Sequence, residues 1–203
     1  MDGNLEIVYS SLIPTYELVK NQIVSDLQDS LENAANIDRI YGRVKETSHF
    51  IEKAKTKNGK VLKFKDPIHD ITDQIGIRVI TYYRDDVNLI KGVVEHNHNF
   101  IERDEKKKKE NEFGYEAVHY IAEIPSFIVQ QLNVQIPIHF FELQICTLFQ
   151  HAWAEANHDI MYKNGSHLTK EERKKLNWAA AQAWGTDRIF SEVYNRTDEK
   201  NIL

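Results

Sequence analysis

Asp73 in "DQIGIR" and Glu142 in "FFELQICT" are carboxylates set into runs that otherwise read as buried strands. Two carboxylates brought together by a fold suit Mg²⁺, which binds through one or two such groups plus substrate phosphates and keeps some waters. Arg43, Lys45, Lys53 and Arg78 supply charge that would neutralise those phosphates, the guanidinium forks pairing with two oxygens and the ammonium groups with one. Gln144 stands two residues after Glu142, so in a strand both point to the same side. Taken alone, Glu142 and Gln144 would be the solvated face of a sheet. Beside a second acid and four cations, they suit phosphoryl or pyrophosphoryl transfer.

These residues must be positioned by regular elements. The stretch "SLIPTYELVKNQIVSDLQDSLENAA" repeats apolar residues at helical spacing, with Pro14 tolerable in a first turn. "NIDRIYGRVKE" alternates like a strand and puts Arg39, Tyr41, Arg43 and Lys45 on one face. A short basic helix is expected from "TSHFIEKAKTKNGK", ending at Asn58-Gly59. "DQIGIRVITYY" reads as a buried strand and "DDVNLIKGVVEHN" as a helix with an acidic first turn. "FIERDEKKKKENEFG", with Lys106 to Lys109 in a row, reads as a charged turn before two more strands, "YEAVHYIAEI" and "IHFFELQICT". Thr169 and Glu172 have capping-box spacing and open a helix through "ERKKLNWAAAQAWG". Trp153, Trp178 and Trp184 read as packing residues. In a regular strand Asp73 and Arg78 face opposite sides, so either Asp73 lies at the strand end or Gly76 permits a bulge.

A chain of 203 residues is expected to form a single domain over 1–203. With 41% hydrophobic and 28% charged residues it should fold, and a formal net charge of −5 argues against a general nucleic-acid coat. Cys146 is the only cysteine, which excludes an internal disulfide and a cysteine-rich zinc site. The start has neither the basic nor the apolar region of a signal peptide, and no run approaches spanning length, so a cytoplasmic protein without membrane contact is expected.

Five stretches in order, "GRVK" with Lys53 beyond it, "DQIGIR", "FGYEAVHY", "ELQICT" and "WAEANHDIMYK", resemble the synthetase domain of the RelA/SpoT family. The resemblance implies a mixed β-sheet flanked by helices, an α/β (α+β) fold of the nucleotidyltransferase-like synthetase type. It also implies Mg²⁺-dependent transfer of pyrophosphate from ATP to a ribose 3′-hydroxyl, with GDP or GTP as the default acceptor. Carried over residue by residue, Arg43, Lys45, Lys53 and Arg78 would hold ATP phosphates and Asp73 would bind Mg²⁺. Glu142 would complete the metal site or deprotonate the acceptor, and Gln144 would orient substrate. Gly114 and Tyr115 would present a stacking ring to the acceptor's base, with His119, His158 and Lys163 also on the acceptor side.

The chain departs from the family pattern at several positions. Cys146 stands where Arg is usual, His49 and Ala117 where Ser is usual, and Asn157 where an acid is usual. Asn111 and Glu112 occupy a stretch that commonly carries a basic residue before the Gly-Tyr pair. The ATP half is better matched than the acceptor half. That leaves open modification of the tRNA 3′ end, as in toxic relatives, and a non-catalytic nucleotide-binding module. It leaves open, too, a homo-oligomer or an antitoxin as partner.

Overall fold

A computed structural model describes residues 2–104, 117–164 and 167–201. In chain order the elements are α1 (Asp2–Leu31), β1 (Ile37–Val44), α2 (Thr47–Ala54), β2 (Lys57–Asn58), β3 (Val61–Leu62), α3 (Pro67–Asp70) and β4 (Ile75–Thr81). There follow α4 (Arg84–Asn97), β5 (Phe100–Asp104), β6 (Val118–Glu123), α5 (Ser126–Leu132), β7 (Phe140–Thr147), α6 (Leu148–Asn164) and α7 (Lys170–Asn201). Strands β1-β4-β7-β6-β5 form one mixed sheet, in which β4 and β7 run parallel and the other pairs antiparallel. This is the expected mixed sheet flanked by helices.

Strand parity divides the sheet into a core face and an open face. Ile75, Ile77 and Val79 of β4, Phe141, Leu143 and Ile145 of β7, and Val118, Tyr120 and Ala122 of β6 are all buried. They pack with Tyr16, Val19, Ile23 and Leu27 of α1, Ile90 and Val94 of α4, and Ile128 of α5. Each such side chain is worth roughly 1.5–3 kcal/mol when fully buried, so this face holds the sheet flat against its helices. α1 lies so close to β1 that an added Cβ at Gly42 would come within 2.6 Å of Ile77 Cδ1 and 2.7 Å of Lys20 Cγ. The alternate residues face the other way, toward α6.

Four expectations need correction. The basic helix expected to end at Asn58-Gly59 stops at Ala54, and Lys57–Asn58 pairs instead with Val61–Leu62 in a hairpin that turns through Gly59, whose φ of 66° only glycine adopts freely. α1 starts at Asp2, which puts Pro14 inside the helix rather than in its first turn. There it costs one backbone bond, a loss that burial of Tyr9, Tyr16 and Val19 on either side offsets. The charged stretch from Phe100 begins as edge strand β5, paired with β6, because an edge tolerates charge on its unpaired side. Trp178 is 74% exposed and Trp184 lies at the surface, with the guanidinium groups of Arg84 and Arg188 5.6 and 5.8 Å from its ring. Neither ring is a core residue. The capping box at Thr169 and Glu172 is present as both reciprocal bonds, 2.8 and 3.2 Å, and α7 runs on to Asn201. Thr147 at the end of β7 donates to the buried Asp187 of α7 at 2.9 Å, tying this long helix to the sheet.

Candidate active site

Two rows of side chains cross the open face. One runs Tyr41, Arg78, Gln144, His119 and the next Arg43, Gly76, Glu142, Ile121, each residue in register with its neighbour across β1, β4, β7 and β6. Gly76 therefore separates Arg43 from Glu142. A Cβ there would touch Arg43 Cγ at 3.8 Å and Glu142 Oε2 at 4.0 Å, so the glycine keeps open the space between a cation and an acid. Its value lies in the missing side chain rather than in backbone freedom.

Asp73 lies in the turn before β4, resolving the parity conflict in favour of the strand end. The turn is held by Gln74, fully buried, whose amide donates to the carbonyls of Ile68 and Ile71 at 2.7 Å each. Gln74's backbone carbonyl accepts from the Lys45 backbone N–H at 2.8 Å, and the Tyr9 hydroxyl donates to the Lys45 backbone carbonyl at 2.8 Å. Burial against Phe50, whose ring is stacked 3.8 Å away, pushes the Tyr9 hydroxyl up and keeps it a donor. Lys45 is thus fastened on one side to the Asp73 turn and on the other to α1.

The side chains then meet. Asp73 Oδ2 is 2.6 Å from Lys53 Nζ and 3.2 Å from Lys45 Nζ. Burial raises the Asp73 carboxyl, but the bond from Lys53 and the charges of both lysines together carry it below the usual carboxylate range. Asp73 Oδ1 is buried and has no hydrogen-bond partner among the described residues. Glu142 receives a bond from His119 Nδ1 at 3.1 Å on Oε1 and from Gln144 Nε2 at 3.0 Å on Oε2. A carboxylate only accepts, so the hydrogen is assigned to His119 Nδ1. Burial works against ionisation of Glu142, the bonds from His119 and Gln144 outweigh it, and the nearby Asp73 charge opposes them.

Arg78 stands between two cavities of about 360 and 140 Å³, both of which it lines together with Arg43, Gln144 and Glu155. Its Nε donates to Gln144 Oε1 at 3.0 Å, and its Nη1 to His151 Nδ1 at 2.9 Å and to Glu155 Oε1 at 2.6 Å. Arginine only donates, so His151 accepts at Nδ1 and is neutral, consistent with burial and the Arg78 charge lowering its pKa. The smaller cavity carries Tyr41, Gly76 and Glu142, the larger His119, Cys146, His151 and His158. Cys146 is buried, and desolvation pushes its thiol up to about 11. It is a small packed residue.

Of the residues singled out in the sequence, Arg43, Lys45, Lys53, Asp73, Arg78, His119, Glu142, Gln144 and His158 come together on this face. Lys163 does not join them; it pairs with Asp159 at 2.8 Å on the exposed surface of α6. Gly114, Tyr115 and Lys106 to Lys109 lie outside the described residues. His151, Glu155 and Gln74 were passed over in the sequence. The first two had a signal, His-x-x-x-Glu spacing on one helix face, but Gln74 bonds only to backbone and left none.

Residues 42–167 match the model of the region found in RelA / SpoT proteins, well over half of the chain. The chain belongs to the RelA/SpoT family. It is 25% identical over 186 residues to GTP pyrophosphokinase YjbM of Bacillus subtilis (strain 168), covering 89% of this chain and 83% of the relative. Its fold is that of small alarmone synthetase 1 from Bacillus subtilis, with a TM-score of 0.76 at 22% identity over 94% of this chain and 97% of that one. The same synthetase bound to its product pppGpp matches with a TM-score of 0.69 at 21% identity, over 93% of each chain.

Proposed function

We propose that this RelA/SpoT-family chain is a pyrophosphotransferase that moves the pyrophosphoryl group of ATP to the ribose 3′-hydroxyl of GDP or GTP, with Mg²⁺ bound. The observation that carries this reading is the pair Asp73 and Glu142, both held ionised, one backed by Lys45 and Lys53 and the other lining the smaller cavity and bonded to His119 and Gln144 of the larger. The curated relative named a GTP pyrophosphokinase and the pppGpp-bound structure support the same substrates.

Arg43 of β1 lines the smaller cavity, and Lys45, just past the end of β1, meets Lys53 on Asp73, three cations that suit ATP phosphates on this side. The larger cavity along α6 then takes the acceptor nucleoside, its 3′-hydroxyl beside His119, Gln144 and Glu142. Glu142 takes the hydroxyl proton as the oxygen attacks the β-phosphorus, the bond from that phosphorus to the α,β-bridging oxygen breaks, and AMP leaves. His119 and Gln144 hold the carboxylate in line for this.

Asp73 Oδ1, buried and without a hydrogen-bond partner among the described residues, fits a metal ligand, and Glu142 gives a second acid. One or two carboxylates are what a hard cation completed by phosphates and water takes from a protein. Mg²⁺ held by Asp73 would neutralise charge on the transferring phosphates and leave Glu142 to take the proton.

The test is labelled ATP with Mg²⁺ and, in parallel, GDP, GTP, adenine nucleotides and bulk tRNA. AMP release with label on GDP or GTP is expected. Label on tRNA would turn the reading to the toxin-like reaction, and nucleotide binding without turnover to a binding module.

A further inference from the structure

Helix α6 turns one stripe toward the larger cavity, lined there by Gln150, His151, Ala154, Glu155 and His158. Glu155 is the only acid among the described residues of that lining. Its partner is a fixed post: the Arg78 side chain is 17% exposed, against 59% for Glu155. Arg78 is held from three directions, by Gln144, His151 and Glu155. Those bonds use Nε and Nη1 and, among the described contacts, leave Nη2 of the fork for a phosphate. Arg78 can therefore serve the ATP side and pin Glu155 at once, which is consistent with its place in the wall between the two cavities.

Pinned by Arg78 through one lone pair of Oε1, the Glu155 carboxylate keeps the other lone pair of Oε1 and both of Oε2 for a ligand. What a carboxylate takes is a pair of neighbouring N–H donors, as it takes an arginine fork. Purines differ in this respect. Guanine carries N1–H and a 2-amino group side by side, two donors matching two oxygens. Hypoxanthine keeps N1–H and lacks the amino group, while adenine has a bare N1 lone pair that a carboxylate repels. Gln144 and Gln150 at the same cavity have both a donor and an acceptor and discriminate much less. A site built to receive N–H groups rejects an analogue lacking them far more strongly than an apolar pocket does.

We infer that Glu155 is the specificity-determining residue of the acceptor cavity, choosing a guanine-type base by accepting its N1–H and 2-amino hydrogens. This rests on the pyrophosphotransferase reading and on the acceptor occupying the α6 side.

Wild type, Glu155→Ala and Glu155→Gln are assayed for transfer from ATP to GDP, IDP and ADP, and binding of the same three nucleotides is measured by calorimetry without ATP. Because Glu155 is largely exposed, both variants should fold, and thermal melts check this. Wild type should prefer GDP over IDP over ADP in kcat/KM and in affinity. The GDP-to-ADP ratio should fall about tenfold or more in Glu155→Ala, as for loss of a hydrogen bond to a charged group, and by an intermediate amount in Glu155→Gln. The KM for ATP should move much less than the acceptor ratio. An unchanged GDP-to-ADP ratio in Glu155→Ala overturns the assignment, and so does an equal loss for all acceptors and ATP, which would make Glu155 a prop for Arg78. GDP-selective binding that Glu155→Ala abolishes, without transfer to any nucleotide, would sustain Glu155 as the base reader while removing the transferase reading. Failure to bind any of the three overturns both.

Discussion

Asp73 and Glu142 reach the same cleft, yet Asp73 Oδ2 sits between the ammonium groups of Lys53 and Lys45, whereas Glu142 is held by His119 and Gln144. The first acid is neutralised by permanent cations. The second is oriented by groups that leave its charge largely uncompensated. A carboxylate that must receive a proton should not be locked by lysines, and one that anchors phosphates through a metal gains from nearby cations that bind the same phosphates. On the proposed reaction, the β1 side of the cleft would serve binding, and the β7 and β6 side the proton.

The sharpest way to break that comparison is to neutralise each acid in turn. Glu142→Gln should lower transfer by roughly 10²–10⁴-fold, as for loss of a general base, with ATP affinity and melting temperature little changed. Asp73→Asn should abolish transfer and also destabilise the fold by about 1–2 kcal/mol, since Lys45 and Lys53 lose a shared, partly buried counter-ion. AMP release and thermal melts measure both. If the stability loss followed Glu142 instead, the two roles would be reversed.

A second test fills the space the acids share. Gly76→Leu puts a side chain between Arg43 and Glu142 and should raise the KM for ATP about tenfold or more while the fold persists, because that face is open. Gly76→Ala adds only a Cβ at ordinary contact distance, 3.8 to 4.0 Å, and should be nearly silent. Equal losses in the two variants would mean that the backbone at Gly76, not the space beside it, is what the site needs.

Much of this cleft was legible in strand parity. Glu142 and Gln144 could be placed on one face of their strand from spacing alone, and the register of β6 against β7 adds His119 to it, with Ile75, Ile77 and Val79 of β4 on the opposite, buried face. What parity does not reach is the partner of a side chain across a long stretch of chain. Arg78 finds Glu155 and His151 only because α6 folds back over β4, so nothing in the spacing of His151 and Glu155 points to their partner. Edge strand β5 hid behind its charges because its pairing uses backbone, which residue types do not report. Gln74 shows the same limit: its partners are two carbonyls, and nothing in "DQIGIR" separates a glutamine that props a turn from one on a surface.

Gln74 extends the comparison to the supports beneath the two acids. Gln74→Leu keeps roughly the same volume but leaves the carbonyls of Ile68 and Ile71 buried without that donor, a cost of about 1–3 kcal/mol for each. The loss should appear in the melt and, because the Asp73 turn loosens, as a raised KM for ATP with the acceptor KM little changed. An acceptor defect of equal size would show that the two sides of the cleft share one support.

The smallest expected effect, and the most direct reading of the electrostatics, is a proton titration. Lys53 gives Asp73 its shortest ion pair, 2.6 Å, so Lys53→Met should raise the Asp73 carboxyl from its lowered position toward the ordinary value and leave Glu142 nearly where it was. The sign for stability follows from linkage. A carboxyl that is lower in the folded chain than in the unfolded one contributes stability above the unfolded value, and that contribution is lost as pH falls through the folded value. In Lys53→Met the two values draw together, so the Asp73 contribution shrinks at neutral pH and the acid side of the stability profile flattens. Carbon-detected NMR of the side-chain carboxyls, with melts across the acid range, measures both. An Asp73 carboxyl that does not rise in Lys53→Met would mean that Lys45, at 3.2 Å, alone suffices to hold it, and the division of labour between the two lysines would have to be redrawn.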